Sequence, residues 1–118
     1  MNIFIANTKK QNTAKLITLL QKIDKEITIL GNASSYKETI DFCNKHSSAL
    51  DLLICGTQLQ GETTSNILNQ ISGSNSIIFT AGSKHEAYEA IKSNCTDFVL
   101  EPCDHNEISD ALVKVKSV

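Results

Sequence analysis

Leu52-Leu53-Ile54-Cys55, bracketed by Asp51 and by Gly56-Thr57, lies near the middle of the 118-residue chain and is apolar without interruption. A run that short and continuous reads as a strand buried on both faces. A half-buried strand would alternate, and a helix would show a longer, gapped stripe. Such strands belong to parallel sheets covered by helices on both sides.

Working outward, residues 3–6, 27–30, 77–80 and 98–100 are further short apolar runs rich in strand formers, and helical patterns fill the gaps. Thr8 with Gln11, Ser35 with Glu38, and Ser83 with Glu86 have the spacing of a capping box. Ile17, Leu20 and Ile23 mark the apolar side of a first helix, and Ile67, Leu68 and Ile71 that of a third. Ile108, Ala111, Leu112 and Val115 give the last helix a stripe at i, i+3, i+4, i+7. Strict alternation of strand and helix predicts an α/β (βα)5 unit, doubly wound, as one domain over residues 1–118.

Eleven basic residues against 13 acidic ones leave a net charge of −2, which gives no electrostatic footprint for direct nucleic-acid binding. The chain passes from Met1 straight into an apolar run, and no stretch approaches membrane-spanning length. A cytoplasmic protein without a membrane role is expected. Cys43, Cys55, Cys95 and Cys103 lack C-x-x-C spacing, so reduced thiols in apolar surroundings are expected rather than disulfides or zinc ligands. Asn32-Ala33-Ser34 and Asn94-Cys95-Thr96 match the glycosylation pattern by accident on this reading.

In open parallel sheets, chemistry gathers at the carboxyl ends of the strands. Those ends offer Asn7 and Thr8, Asn32, Gly56 and Thr57, Thr80 and Ala81, and Glu101-Pro102. Only Glu101 among them is ionisable, so there is no carboxylate pair and no nucleophile beside a base. His46, His85 and His105 fall in or at the start of helices and read as surface residues. Neither an enzyme nor a cofactor or metal site is expected.

Met1-Asn2-Ile3-Phe4-Ile5-Ala6, Asp51-Leu52-Leu53-Ile54-Cys55, Gln58-Leu59-Gln60-Gly61, Ile77-Ile78-Phe79-Thr80-Ala81 and Thr96-Asp97-Phe98-Val99-Leu100-Glu101-Pro102 follow one another in the order of the strands of a known family. Over essentially the whole chain the sequence resembles the receiver domain of bacterial response regulators, most of all receivers that precede LytTR-type DNA-binding domains. The resemblance implies strand order 2-1-3-4-5, a cis bond before Pro102, and cytoplasmic two-component signalling. It also implies a DNA-binding output domain outside this chain.

The resemblance places Asn7 and Thr8 where active receivers hold Mg²⁺ with an acidic pair, Gly56 at the phosphoacceptor aspartate, and Glu101 at the lysine. Thr80 and Phe98 keep the hydroxyl and aromatic switch positions. Phosphoryl transfer needs a nucleophile and cationic neutralisation of the transferring oxygens, and these positions supply neither. A pseudo-receiver is therefore expected, with a vestigial pocket of Asn7, Thr8, Gly56, Thr80 and Glu101. Without phosphate, Thr80 should satisfy a local backbone group, Gly56 should permit a positive φ, and Lys9 or Lys10 could reach Glu101. The family's helix 4–strand 5–helix 5 face would meet a protein partner or a second copy through His85, Tyr88, Glu89, Lys92, Asp97, Phe98 and Glu107. A flavodoxin-like small-molecule or electron-carrier domain shares the fold. Its phosphate loop is echoed faintly by Asn12-Thr13, without the glycine that close backbone approach needs.

Overall fold

Period-two alternation along each strand sorts the apolar side chains of a central sheet into two cores. The computed structural model describes residues 1–71, 76–92 and 95–116, with the main chain alone for Leu68, Ala90 and Ile91. Asn94 of the second glycosylation pattern and the side chain of Leu68 lie outside the described residues. The elements are β1 (Asn2–Ala6), α1 (Lys10–Ile23), β2 (Thr28–Ala33), α2 (Tyr36–Lys45), β3 (Leu52–Gly56), β4 (Gln58–Leu59), β5 (Glu62–Thr63), β6 (Ser76–Ala81), α3 (Lys84–Lys92), β7 (Asp97–Leu100) and α4 (His105–Lys116). The main sheet is parallel, in the order β2-β1-β3-β6-β7, which is the expected 2-1-3-4-5.

Ile3, Ile5, Leu52, Ile54, Ile78 and Val99 face the core closed by α1 and α4. Phe4, Ala6, Leu53, Cys55, Ile77 and Phe79 face the other, closed by α2 and the segment after β3. On α1, Leu20 is fully buried while Ile17 and Ile23 are partly so. The stripe on α4 is buried at all four expected positions. Cys43 and Cys55 are buried thiols and none of the four cysteines is in a disulfide. Burial pushes the Cys55 thiol up to about 12, so it is inert.

The edge strand β2 runs three residues beyond the expected stretch, and Asn32 is an exposed residue within it. A bulge opposite Ile3/Phe4 breaks its register. His46 is not free on the surface either: its ring rests on Phe42, centroids 4.2 Å apart, at the end of α2.

The third crossover departs from the (βα)5 expectation. Instead of a helix carrying Ile67 and Ile71, the chain turns back on itself as the antiparallel pair β4–β5 and then forms a single 3-10 turn, Ile67–Asn69. Gln60 and Gly61 have φ of +51° and +86°, the backbone that tight hairpins demand. Downstream, Thr64 sends its hydroxyl to the carbonyl of Gly56 and its N–H to that of Thr57, bonds that replace helical ones. Leu59, Ile67 and Ile71 still bury themselves against the sheet, so the packing role survives without the helix.

At two of the expected capping boxes the serine caps its helix: Ser35 and Ser83 accept at Oγ from the N–H of Glu38 and Glu86 respectively, and donate to the same residue's carboxylate. Thr8–Gln11 forms no such cap, because α1 starts after Lys9 and Thr8 is engaged elsewhere.

Gln60 is the one non-glycine residue with positive φ among those described. A side chain in that region costs roughly 1 kcal/mol or more. Gln60→Gly should therefore stabilise the protein by about 0.5–1 kcal/mol in urea denaturation. Gly61→Ala should destabilise it by about 1 kcal/mol, although an added Cβ there meets nothing within 4 Å.

Candidate functional site

The carboxyl ends of β1, β3, β6 and β7 bring Asn7, Thr8, Gly56, Thr80 and Glu101 around one cleft. Asn7, at the end of β1, is buried; its N–H donates to Ala33 O and its Oδ1 accepts from Lys9 N at 2.9 Å. That Asx turn feeds the chain into α1. Thr8 accepts at Oγ1 from the N–H of Gln60, 3.0 Å away, and so fastens the hairpin over the strand ends.

Gly56 closes β3 in ordinary strand conformation and not with the positive φ expected of it. A Cβ built there would meet Gln58 O at 3.4 Å and Thr80 Oγ1 at 3.8 Å, which are normal contacts. The backbone does not require glycine here.

Glu101 is not the one carboxylate at this site: the structure places a second beside it. Glu86, assigned only to a helix cap, turns back from α3: its Oε1 accepts from Thr57 Oγ1 at 2.9 Å and its Oε2 from Gly82 N at 3.1 Å. Gly82 makes room for this, since a Cβ there would lie 2.9 Å from Glu86 Oε2. Thr57 is tied on its other side, its N–H donating to Thr80 O. Capping-box spacing hid the second role of Glu86. A carboxylate one turn after a glycine at a strand end was the available signal.

Glu101 is half-buried and accepts at Oε2 from the amide of Asn12 on α1, rather than pairing with Lys9 or Lys10. Its N–H donates to Ala81 O, and the bond to Pro102 is cis, as the resemblance implied. Asn12, in the faint echo of a phosphate loop, has another role. Its amide is committed to Glu101, and Thr13 is buried within α1, so neither residue cradles phosphate.

Thr80 overturns a further expectation. The side chain is 3% exposed, yet Oγ1 has no hydrogen-bond partner among the described residues. Beside it, Cys103 lines the cleft toward α1. Burial, and then the negative charges of Glu101, Glu107 and Asp104, push its thiol up to about 12, so it is no nucleophile. No group of His, Cys, Asp and Glu among the described residues could hold a metal ion.

The expected interaction residues are spread over α3, β7 and α4. These are the family's helix 4, strand 5 and helix 5, renumbered because the described residues form no α-helix between β3 and β6. His85, Tyr88, Glu89, Lys92 and Glu107 are exposed, Asp97 and Phe98 half-buried. Lys92 lies over the Tyr88 ring, 4.4 Å from its centroid, and 4.0 Å from Glu89. Asp97 pairs with Lys114 at 3.1 Å, a residue outside the expected face. Phe98 packs against the second core. No helix among the described residues is long and apolar enough to cross a membrane.

No family model matches the chain. It is 27% identical, over its full length, to the sensory transduction protein LytR of Streptococcus mutans, and spans about half (49%) of that relative. Its structure is similar to the response regulatory domain of MrkE from Klebsiella pneumoniae, with a TM-score of 0.81, 18% identity, and 99% and 96% of the two chains covered. It is equally similar to a response regulator receiver domain from Clostridium thermocellum, with a TM-score of 0.83, 17% identity, and 98% and 94% covered. The sheet order, the strand-end cleft and these likenesses lead to one conclusion: the chain has the fold of a response-regulator receiver domain.

Proposed function

We propose that this chain is a pseudo-receiver: a non-enzymatic, cytoplasmic module of bacterial signal transduction or transcriptional regulation that works without phosphorylation. It makes protein contacts through the α3–β7–α4 face, with a partner or a second copy, and a DNA-binding output domain outside these 118 residues carries the signal further. The length share and identity with the streptococcal LytR support that placement.

One observation carries the reading. Gly56 offers no side chain at the phosphoacceptor position, and the groups around it are committed to one another: Thr8 to Gln60, Thr57 to Glu86, Asn12 to Glu101. Two carboxylates, from Glu86 and Glu101, would meet an entering phosphate, and Lys9 on the rim is the cation beside them. Mg²⁺ takes hard carboxylate oxygens, whereas Asn7 and Thr8 offer neutral ones that are already engaged.

Incubation with acetyl phosphate and Mg²⁺ should leave no acid-labile phosphate on the protein by intact mass, and Mg²⁺ should not raise its melting temperature. Stoichiometric phosphoaspartate would overturn the proposal. On the interaction face, Tyr88→Ala should weaken association, with the partner or with itself, by about tenfold in sedimentation, as removal of an aromatic anchor does. Unchanged association would exclude this face.

Rebuilding the pocket tests the assignment of positions. Asn7→Asp, Thr8→Asp, Gly56→Asp and Glu101→Lys together should confirm it by taking phosphate from acetyl phosphate in a Mg²⁺-dependent manner. The Cβ that Gly56→Asp adds fits without strain. Gly56→Asp alone should fail, because its carboxylate would face Glu101 with no metal ion to screen it. The effects should be strongly non-additive, since all four positions share one site. A folded fourfold variant that neither binds Mg²⁺ nor labels would refute the assignment.

A further inference from the structure

Three donors from separate parts of the chain converge on one carboxylate, that of Glu86 in the first turn of α3. The Thr57 hydroxyl, next after β3, donates to Oε1 at 2.9 Å. The Gly82 N–H, next after β6, donates to Oε2 at 3.1 Å, and the Ser83 hydroxyl donates to the same oxygen at 3.4 Å. Capping of α3 accounts for Ser83. It does not account for Thr57, which lies 29 residues earlier in the chain.

Thr57 is a fixed anchor. It is buried, its N–H donates to Thr80 O at 3.1 Å, and its carbonyl accepts from Thr64 N at 2.9 Å. A Cβ on Gly82 would stand 2.9 Å from Glu86 Oε2, so glycine there is what lets the carboxylate come this close. The start of a helix also favours negative charge, through its dipole and its unpaired N–H groups. A hydrogen bond to a charged acceptor holds more strongly than a neutral one. Tyr88 follows two residues after Glu86, about 200° further around the helix, and is 56% exposed. One side of α3 is gripped by the end of β3 while the other presents Tyr88 to solvent.

We propose that the Glu86 carboxylate is a built-in anionic strap that sets where α3 lies against the end of β3. Glu86 is then the positioning residue for Tyr88, and the α3 part of the interaction face is preset by a charge the chain itself carries, with no ligand needed in the cleft. The strap is a property of the free protein; only its bearing on partner contact rests on the α3–β7–α4 reading. The test needs neither a partner nor a phosphoryl donor, so its failure is distinct from failure of that reading.

Residual dipolar couplings at the amides of His85, Ala87, Tyr88 and Glu89 in ¹⁵N-labelled protein report the orientation of α3 against a frame set by α1 and α4. In the unaltered chain all three helices should fit one frame. In Thr57→Val, which removes the anchoring hydroxyl and leaves the Ser83 cap in place, the α3 couplings should shrink or leave that frame while α1 and α4 keep it. Thr57→Ser retains the hydroxyl and should restore them. Gly82→Ala, which crowds the carboxylate and alters neither partner, should shift the α3 couplings in the same sense. A contact that only stabilised the fold would lower the urea midpoint and leave the couplings where they were.

Urea denaturation supplies the second measurement. Thr57→Val should lower the folding equilibrium constant by about tenfold or more in the unaltered chain, as loss of a bond to a charged group does. In a Glu86→Ala background the same change should cost little, because the two residues share one bond. The proposal is overturned if the α3 couplings of Thr57→Val still fit the common frame, if Thr57→Ser fails to restore them, or if Thr57→Val costs as much in Glu86→Ala as in the unaltered chain.

Discussion

β3 lies at the centre of a parallel sheet that is covered on both faces, and every one of its residues is buried. That burial places a demand on the carboxyl end of the sheet. Polar groups there cannot turn to solvent as freely as those at an exposed edge, so each needs a partner nearby. The residues around Gly56 meet this demand by pairing across elements. Thr57 joins β3 to α3 through Glu86, Thr8 joins β1 to the hairpin through Gln60, and Asn12 joins α1 to Glu101 after β7. The same bonds that satisfy the strand ends also fix where α1, α3 and the hairpin sit. In this light, the strand-end residues work as a set of ties between elements, and the Thr80 hydroxyl is left without a partner among the described residues.

How far the sequence could be read follows from which physical signal each element carries. The sheet was legible because its strands are continuous apolar runs, and continuity is what burial on two faces requires. The last helix was equally clear, its four apolar positions falling on one side. The third crossover was misread because Ile67 and Ile71 have helical spacing, while the signals against a helix were local. Those signals are the Gln60-Gly61 turn and the run Thr63-Thr64-Ser65, whose side chains compete for backbone groups. Tertiary burial of Leu59 and Ile67 then stabilised a hairpin where the spacing suggested a helix.

The site was legible by position and not by partnership. Asn7, Thr8, Gly56, Thr80 and Glu101 do surround one cleft, but what they bond to depends on side-chain reach between elements far apart in the chain. Thr8 and Gln60 are 52 residues apart, and Asn12 and Glu101 are 89 apart. No local pattern announces such pairs. Glu86 was hidden for the opposite reason: its local spacing to Ser83 gave it a sufficient role as a cap, and its second role lay across the fold.

The irregularity in β2 has a consequence for how copies of this protein can meet. An open sheet has two edges, and unpaired backbone on either is a template for another chain to extend it. Here one edge is kinked, since Leu30 has no register partner in β1. The other edge, β7, is only four residues long and holds Asp97 in an ion pair with Lys114. Bulges, brevity and charge all discourage strand addition. Self-association that merges two sheets into one is thus disfavoured at both ends, which leaves contact between side chains on helical surfaces as the route open to assembly, and spares the protein the open-ended stacking that begins at a flat edge.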